Sequence, residues 1–121
     1  MLDGNGLMGT IPIELGSLHN LKLLRLDKNN LTGTVPSQFG RLVRLKELRL
    51  GWNNLEGTIP PQIGHCTELE HLNVTNNNLE GSIPIELFDC DHLQVLDLYT
   101  NQLTGTIPTE INKLGSLYLR K

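Results

Sequence analysis

An α/β repeat solenoid is predicted for this chain of 121 residues by three observations. Asn5, Asn29, Asn53, Asn77 and Asn101 recur every 24 positions, each followed two residues later by Leu7, Leu31, Leu55, Leu79 and Leu103. Gly9, Gly33, Gly57, Gly81 and Gly105 keep the same phase, as do Pro12, Pro36, Pro60, Pro84 and Pro108, each of which follows an isoleucine or valine. Ahead of the asparagine lies a Leu-x-Leu step, Leu24-x-Leu26 in the first complete unit, with the two-residue period of a strand half-buried on one face. A fixed period of roughly 20–50 residues marks an array of units that bury a core only by stacking on one another. One array over residues 1–121, of about five coils, is therefore expected.

Each part of the unit follows from its residues. Leu24 and Leu26 face inward, and stacked copies pair as a parallel sheet at about 4.8 Å per strand. Asn29 falls where the chain turns in, and its amide can satisfy backbone groups of the turn and of the next coil that would otherwise be buried unpaired. Its equivalents form a ladder of Asn5, Asn29, Asn53, Asn77 and Asn101. Gly33 supplies a backbone conformation that side chains resist, and the β-branched pair Thr34-Val35 suits a second short strand that Pro36 then ends. Phe39 and Leu42, three apart, suit one 3-10 or irregular turn on the convex side.

The full unit, L-x-x-L-x-L-x-x-N-x-L-x-G-x-I/V-P, resembles the leucine-rich repeat, and its L-x-G-x-I-P portion resembles the plant-type class of that repeat. The resemblance covers essentially the whole chain. It implies a right-handed superhelix with a concave parallel sheet, short second strands and a convex side of 3-10 segments. It also implies a recognition surface, since such arrays occur in receptor-like kinases, receptor-like proteins and secreted inhibitors of cell-wall enzymes. The Cys-containing N-terminal cap usual in the family is missing. Leu2 already stands in register with Leu26, and Arg120 stands where the pattern wants leucine, with Leu119 one place early. An array uncapped at both ends, a piece of something longer, is the expectation, with fraying and self-association through its ends.

Composition narrows the function. The chain is 38% hydrophobic and 19% charged, and no apolar run approaches the roughly 20 residues that span a bilayer, so no direct membrane contact is expected of this segment. Gly4-Asn5-Gly6-Leu7-Met8-Gly9 matches the dinucleotide fingerprint, but the repeat already accounts for Asn5, Leu7 and Gly9, and Ile11-Pro12 forbids the helix the fingerprint needs. Cys66 and Cys90 take the slot of Leu18, Leu42 and Leu114. They read as buried thiols in place of leucine, with a disulfide between neighbouring coils as the alternative. The four histidines fall at four repeat phases, and Cys66 and His71 face opposite ways, so no metal is expected. No catalytic arrangement stands outside what the repeat demands; neither enzyme activity nor a cofactor is expected.

Positions the fold leaves free carry the functional signal. The outward sets on the concave sheet are Lys22, Leu23, Arg25, Asp27 and Lys28, then Lys46, Glu47, Arg49, Gly51 and Trp52, then Glu70, His71, Asn73, Thr75 and Asn76, then Gln94, Val95, Asp97, Tyr99 and Thr100. Trp52, the one tryptophan, has no core duty, and a large aromatic on an open face is a typical anchor. The other reading packs it over Lys28 and Asn76. Arg25, Asp27, Lys28, Arg49, Trp52, His71, Thr75, Asp97 and Tyr99 are the candidate ligand-binding residues. Charge is sorted along the array: residues 21–50 carry seven Lys/Arg against two acids, whereas residues 51–110 carry nine acids and no Lys or Arg. That dipole suits a mixed-charge partner and makes a poor nucleic-acid platform.

Two sequons, Asn30-Leu31-Thr32 and Asn73-Val74-Thr75, are N-glycosylation candidates in a secreted parent. Asn30 is expected at the sheet's edge and Asn73 in mid-face, so a ligand avoids the third coil, or Asn73 is bare, or the protein never enters the secretory route. The reading is a non-catalytic module binding a protein or peptide, with a co-receptor among the partners the resemblance implies, and extracellular if the parent is receptor-like. The alternatives are a secreted inhibitor and an intracellular scaffold or truncated product without a ligand.

Overall fold

The computed structural model describes residues 2–121. Each repeat crosses two parallel sheets and returns through a short 3-10 segment. One sheet, the expected concave one, is built from β2 (Leu23–Arg25), β4 (Glu47–Arg49), β6 (His71–Asn73), β8 (Val95–Asp97) and β10 (Tyr118–Arg120). The other contains β1 (Met8–Thr10), β3 (Asn30–Thr34), β5 (Asn54–Gly57), β7 (Asn78–Gly81) and β9 (Gln102–Leu103). The helical component is entirely 3-10 among the described residues, as in Ser37–Arg41 and Pro61–His65.

The concave strands pair with the sequence period, Leu24 beside Leu48, Leu48 beside Leu72 and Leu72 beside Leu96. The irregular end is absorbed by one residue of register, since Leu119 rather than Arg120 pairs with Leu96. Leu119 thereby keeps the inward slot and Arg120 faces out beside Asp97. Between the sheets lies a continuous core that includes Leu45, Leu48, Leu50, Leu55, Ile59, Ile63 and Cys66, all essentially inaccessible. Each such side chain contributes about 1.5–3 kcal/mol by leaving water.

Two expectations about local structure need correction. The second strand includes Thr34 but not Val35 and starts earlier, at Asn30, because its hydrogen bonding is set by stacking on the neighbouring coil, with Gly33 paired to Leu55, and not by β-branched propensity. Val35 instead turns into the core, and Pro36 leads directly into the 3-10 segment. The asparagine ladder reaches the preceding coil, not the next. Asn53 Nδ2 donates to the carbonyls of Leu26 and Leu50, while its Oδ1 accepts from the N–H of Leu31 at 3.0 Å. Asn29, Asn77 and Asn101 repeat this arrangement. Asn5 is exposed: its side-chain amide donates to the Asp3 carbonyl at 3.1 Å, and its backbone N–H donates to Asn29 Oδ1 at 3.1 Å.

Gly33 has φ +75°, as its place in the repeat required. The convex glycines act differently. A Cβ on Gly16 would lie 2.6 Å from the Gln38 carbonyl oxygen, so successive 3-10 segments stack closely there. In the fourth repeat that slot holds Phe88, fully buried, and the next 3-10 segment, Thr109–Lys113, has no buried residue.

Candidate functional site

The outward rows of the concave sheet come from strict alternation along three-residue strands. The central row runs Arg25, Arg49, Asn73, Asp97 and Arg120 across adjacent strands, with Leu23, Glu47, His71, Val95 and Tyr118 beside it. Just beyond the strands the chain bends through Lys28, Trp52, Asn76 and Thr100, all left-handed at φ +57°, +53°, +51° and +55°. This bend precedes each ladder asparagine and presents its side chain at the rim. Asparagine tolerates that conformation, whereas tryptophan and threonine are disfavoured in it.

Trp52 is 45% exposed, with the Lys28 ammonium 6.0 Å from its ring centroid. Lys28 is therefore a neighbour of the ring, as the packing alternative foresaw, yet almost half of the indole stays open to a partner. Arg25 and Arg49 come together on one carboxylate: Arg25 Nη2 lies 2.6 Å from Glu47 Oε2, and Arg49 Nε contacts Glu47 Oε1. Burial would raise the Glu47 carboxyl, but the Arg25 hydrogen bond and both guanidinium charges outweigh it and hold it below the usual carboxylate range. The same hydrogen bond raises Arg25. Asp27 is the opposite case. Its Oδ1 is buried without a hydrogen-bond donor, and desolvation pushes its carboxyl up against the pull of Arg49 and Arg25.

At the other end Tyr99 is half-buried with the Arg120 guanidinium 4.3 Å above its ring, and Arg120 Nε stands 3.9 Å from Asp97 Oδ1. Trp52 and Tyr99 are carried two strand spacings apart, roughly 10 Å. His71 lies half-buried beside Glu47.

Thr75 does not belong to the surface. It is fully buried, and its N–H and Oγ–H both donate to Asn73 Oδ1, which folds the hydroxyl under the neighbouring side chain. Gly51 makes room for this arrangement, since a Cβ there would meet Asn73 Oδ1 at 2.8 Å. Glu47, placed among the outward residues by alternation, is only 6% exposed because two arginines cover it. Its bridging role was missed in the sequence, although its place between two arginines in adjacent rows was a usable signal. Lys46 with Glu70, 2.7 Å apart, is a second missed pair, spaced by the 24-residue repeat.

Cys66 and Cys90 are free and buried, the leucine-replacing alternative. Burial pushes their thiols up to about 11 and about 12, and Cys66 Sγ donates to the Phe39 carbonyl at 3.2 Å. Thiols held so far from ionisation are poor nucleophiles and ligands. Among the described residues no group of three His, Cys, Asp or Glu is placed to hold a metal, and no helix is long and apolar enough to cross a membrane.

The rows, the ladder and the paired sheets define a leucine-rich-repeat array. The family model described as "Leucine rich repeat" matches residues 19–79, and a second leucine-rich-repeat model matches residues 92–114. The chain belongs to the leucine-rich repeat family, in its plant-type form. No curated protein sequence matches it. Among solved structures it is 45% identical to the ectodomain of the plant membrane receptor kinase GASSHO1/SCHENGEN3 from Arabidopsis thaliana, determined with CASPARIAN STRIP INTEGRITY FACTOR 2. That match has a TM-score of 0.90 and covers 93% of this chain and 13% of the other. The PEPR1–AtPEP1 structure matches at 38% identity and TM-score 0.89, over 91% of this chain and 16% of that one. The BIR3–SERK2 complex from Arabidopsis thaliana matches at 41% identity and TM-score 0.88, over 94% of this chain and 61% of that one. The chain thus spans about a sixth or less of the length of the first two of these proteins' solved chains.

Proposed function

We propose that this chain is the ligand-recognising part of an extracellular, receptor-like protein and that a peptide or protein lies across its concave sheet. The observation that carries the reading is Trp52, a half-open indole held at the rim in a conformation unfavourable to it, without a core role. Beside it exposed Lys28 offers a cation, while Asp27, its Oδ1 buried, contributes charge to the floor rather than an open contact. Arg25 and Arg49 are already shared with Glu47, so they shape the floor more than they attract a partner. Tyr99, Asp97 and Arg120 form the second contact region, with His71 between the two.

Similar solved structures support a peptide as the ligand, since one is of the plant peptide hormone receptor RGFR1 with RGF2 and another is of the HAESA ectodomain with an IDA peptide hormone ligand. The match to the BIR3–SERK2 complex supports a second protein as a further partner. The test is selection of short random peptides displayed against the immobilised chain. Enriched peptides are expected to bind wild type and to be lost on Trp52→Ala, and enriched peptides indifferent to Trp52→Ala would overturn the reading.

A further inference from the structure

The second sheet turns an outward row of amides to solvent: Asn30, Asn54, Asn78 and Gln102, all exposed. The residue two places on decides their chemistry. It is Thr32 after Asn30, but Glu56 after Asn54, Glu80 after Asn78 and Thr104 after Gln102. Only Asn30 in this row therefore stands in an Asn-X-Thr sequence, and both Asn30 and Thr32 are exposed. The Asn30 backbone N–H is held by the Leu7 carbonyl at 2.8 Å, which fixes the strand. Its side-chain amide makes no hydrogen bond among the described residues.

The other sequon is built differently. Asn73 is half-buried in the middle of the concave sheet, between Arg49 and Asp97. Its Oδ1 accepts both donors of the buried Thr75 and sits over Gly51. A sugar on its nitrogen would stand in the middle of the concave sheet between Arg49 and Asp97, and turning the side chain away from Thr75 would leave both Thr75 donors without a partner inside the protein, a costly outcome.

We propose that Asn30 carries an N-linked glycan and that Asn73 stays bare. The inference rests on the extracellular placement proposed above and not on the ligand. In the transfer, the Asn30 amide nitrogen displaces diphosphate from the anomeric carbon of a lipid-diphosphate-linked oligosaccharide. A C–N bond forms, the C–O bond to diphosphate breaks, the amide gives up one proton, and the lipid diphosphate leaves. The glycan then covers the outer face of the second sheet around β3 and leaves the concave sheet open, so the modification and the proposed ligand do not compete for one surface.

The experiment secretes the full chain from human cells behind a heterologous signal sequence. Peptide-N-glycosidase digestion in heavy-oxygen water then labels each formerly glycosylated asparagine, and mass spectrometry maps the label. Label at Asn30 and none at Asn73 is expected, with Asn30→Gln removing the glycan mass and Asn73→Gln leaving it. Label at Asn73, or secreted protein without label at Asn30, overturns the proposal. Because secretion is imposed, either result stands apart from the peptide-selection test of ligand binding.

Discussion

The side-chain amide of Asn53 donates to the carbonyl of Leu26, 27 residues earlier, at 3.0 Å, and thereby ties two coils through a buried polar group. The same nitrogen reaches Leu50 and Gly51 within its own coil, and the oxygen receives the Leu31 N–H. Truncation would strand these groups where water cannot replace the asparagine. Asn53→Ala should cost roughly 1–3 kcal/mol, whereas exposed Asn54→Ala should stay within about 0.5 kcal/mol. Urea titration of both variants decides it, and equal losses would contradict the ladder.

The same dependence on neighbours explains what could be read from the residues alone. The 24-residue period exposed the sheets, the core rows and the ladder positions, because stacking forces identical side chains into identical surroundings. The burial of Thr75 was not legible, since it depends on Asn73 folding over Gly51, a contact unique to that place. Nor was the left-handed bend at Lys28, Trp52, Asn76 and Thr100, because only Asn76 and the equivalent Gly4 carry its signature. The sharing of Glu47 by Arg25 and Arg49 depends on side chains from adjacent strands meeting, which the repeat pattern alone does not specify.

That bend yields a stability prediction. Thr100 is exposed and β-branched at φ +55°, so its conformation is costly and little packing holds it there. Thr100→Asn, which copies Asn76 of the preceding coil, should stabilise by about 1 kcal/mol. A rise in Tm is expected by calorimetry, and a fall would show that the threonine makes contacts worth more than its backbone cost.

Asp27 gives a pH dependence. Its folded carboxyl is raised by burial above the ordinary 3.8, so the folded state favours the protonated form. Stability is therefore lost as pH rises from 3.8 through the folded value. Asp27→Asn should be more stable than wild type at pH 7, and the advantage should shrink toward zero as the pH is taken below 3.8. Melting curves across that range test the sign; an advantage that grew in acid would contradict the raised carboxyl.

Binding kinetics on the immobilised chain, with a peptide obtained by the selection described above, test the concave-face account most directly. Trp52→Ala should weaken the complex by about 2 kcal/mol, roughly 30-fold in Kd, chiefly through faster release. Lys28→Glu should instead alter the association rate, and more so at low salt, because that side chain is exposed and acts at a distance. Gln38→Ala, on the convex side, should leave both rates unchanged. If Gln38→Ala disrupts the complex while Trp52→Ala does not, the concave sheet is not the binding face.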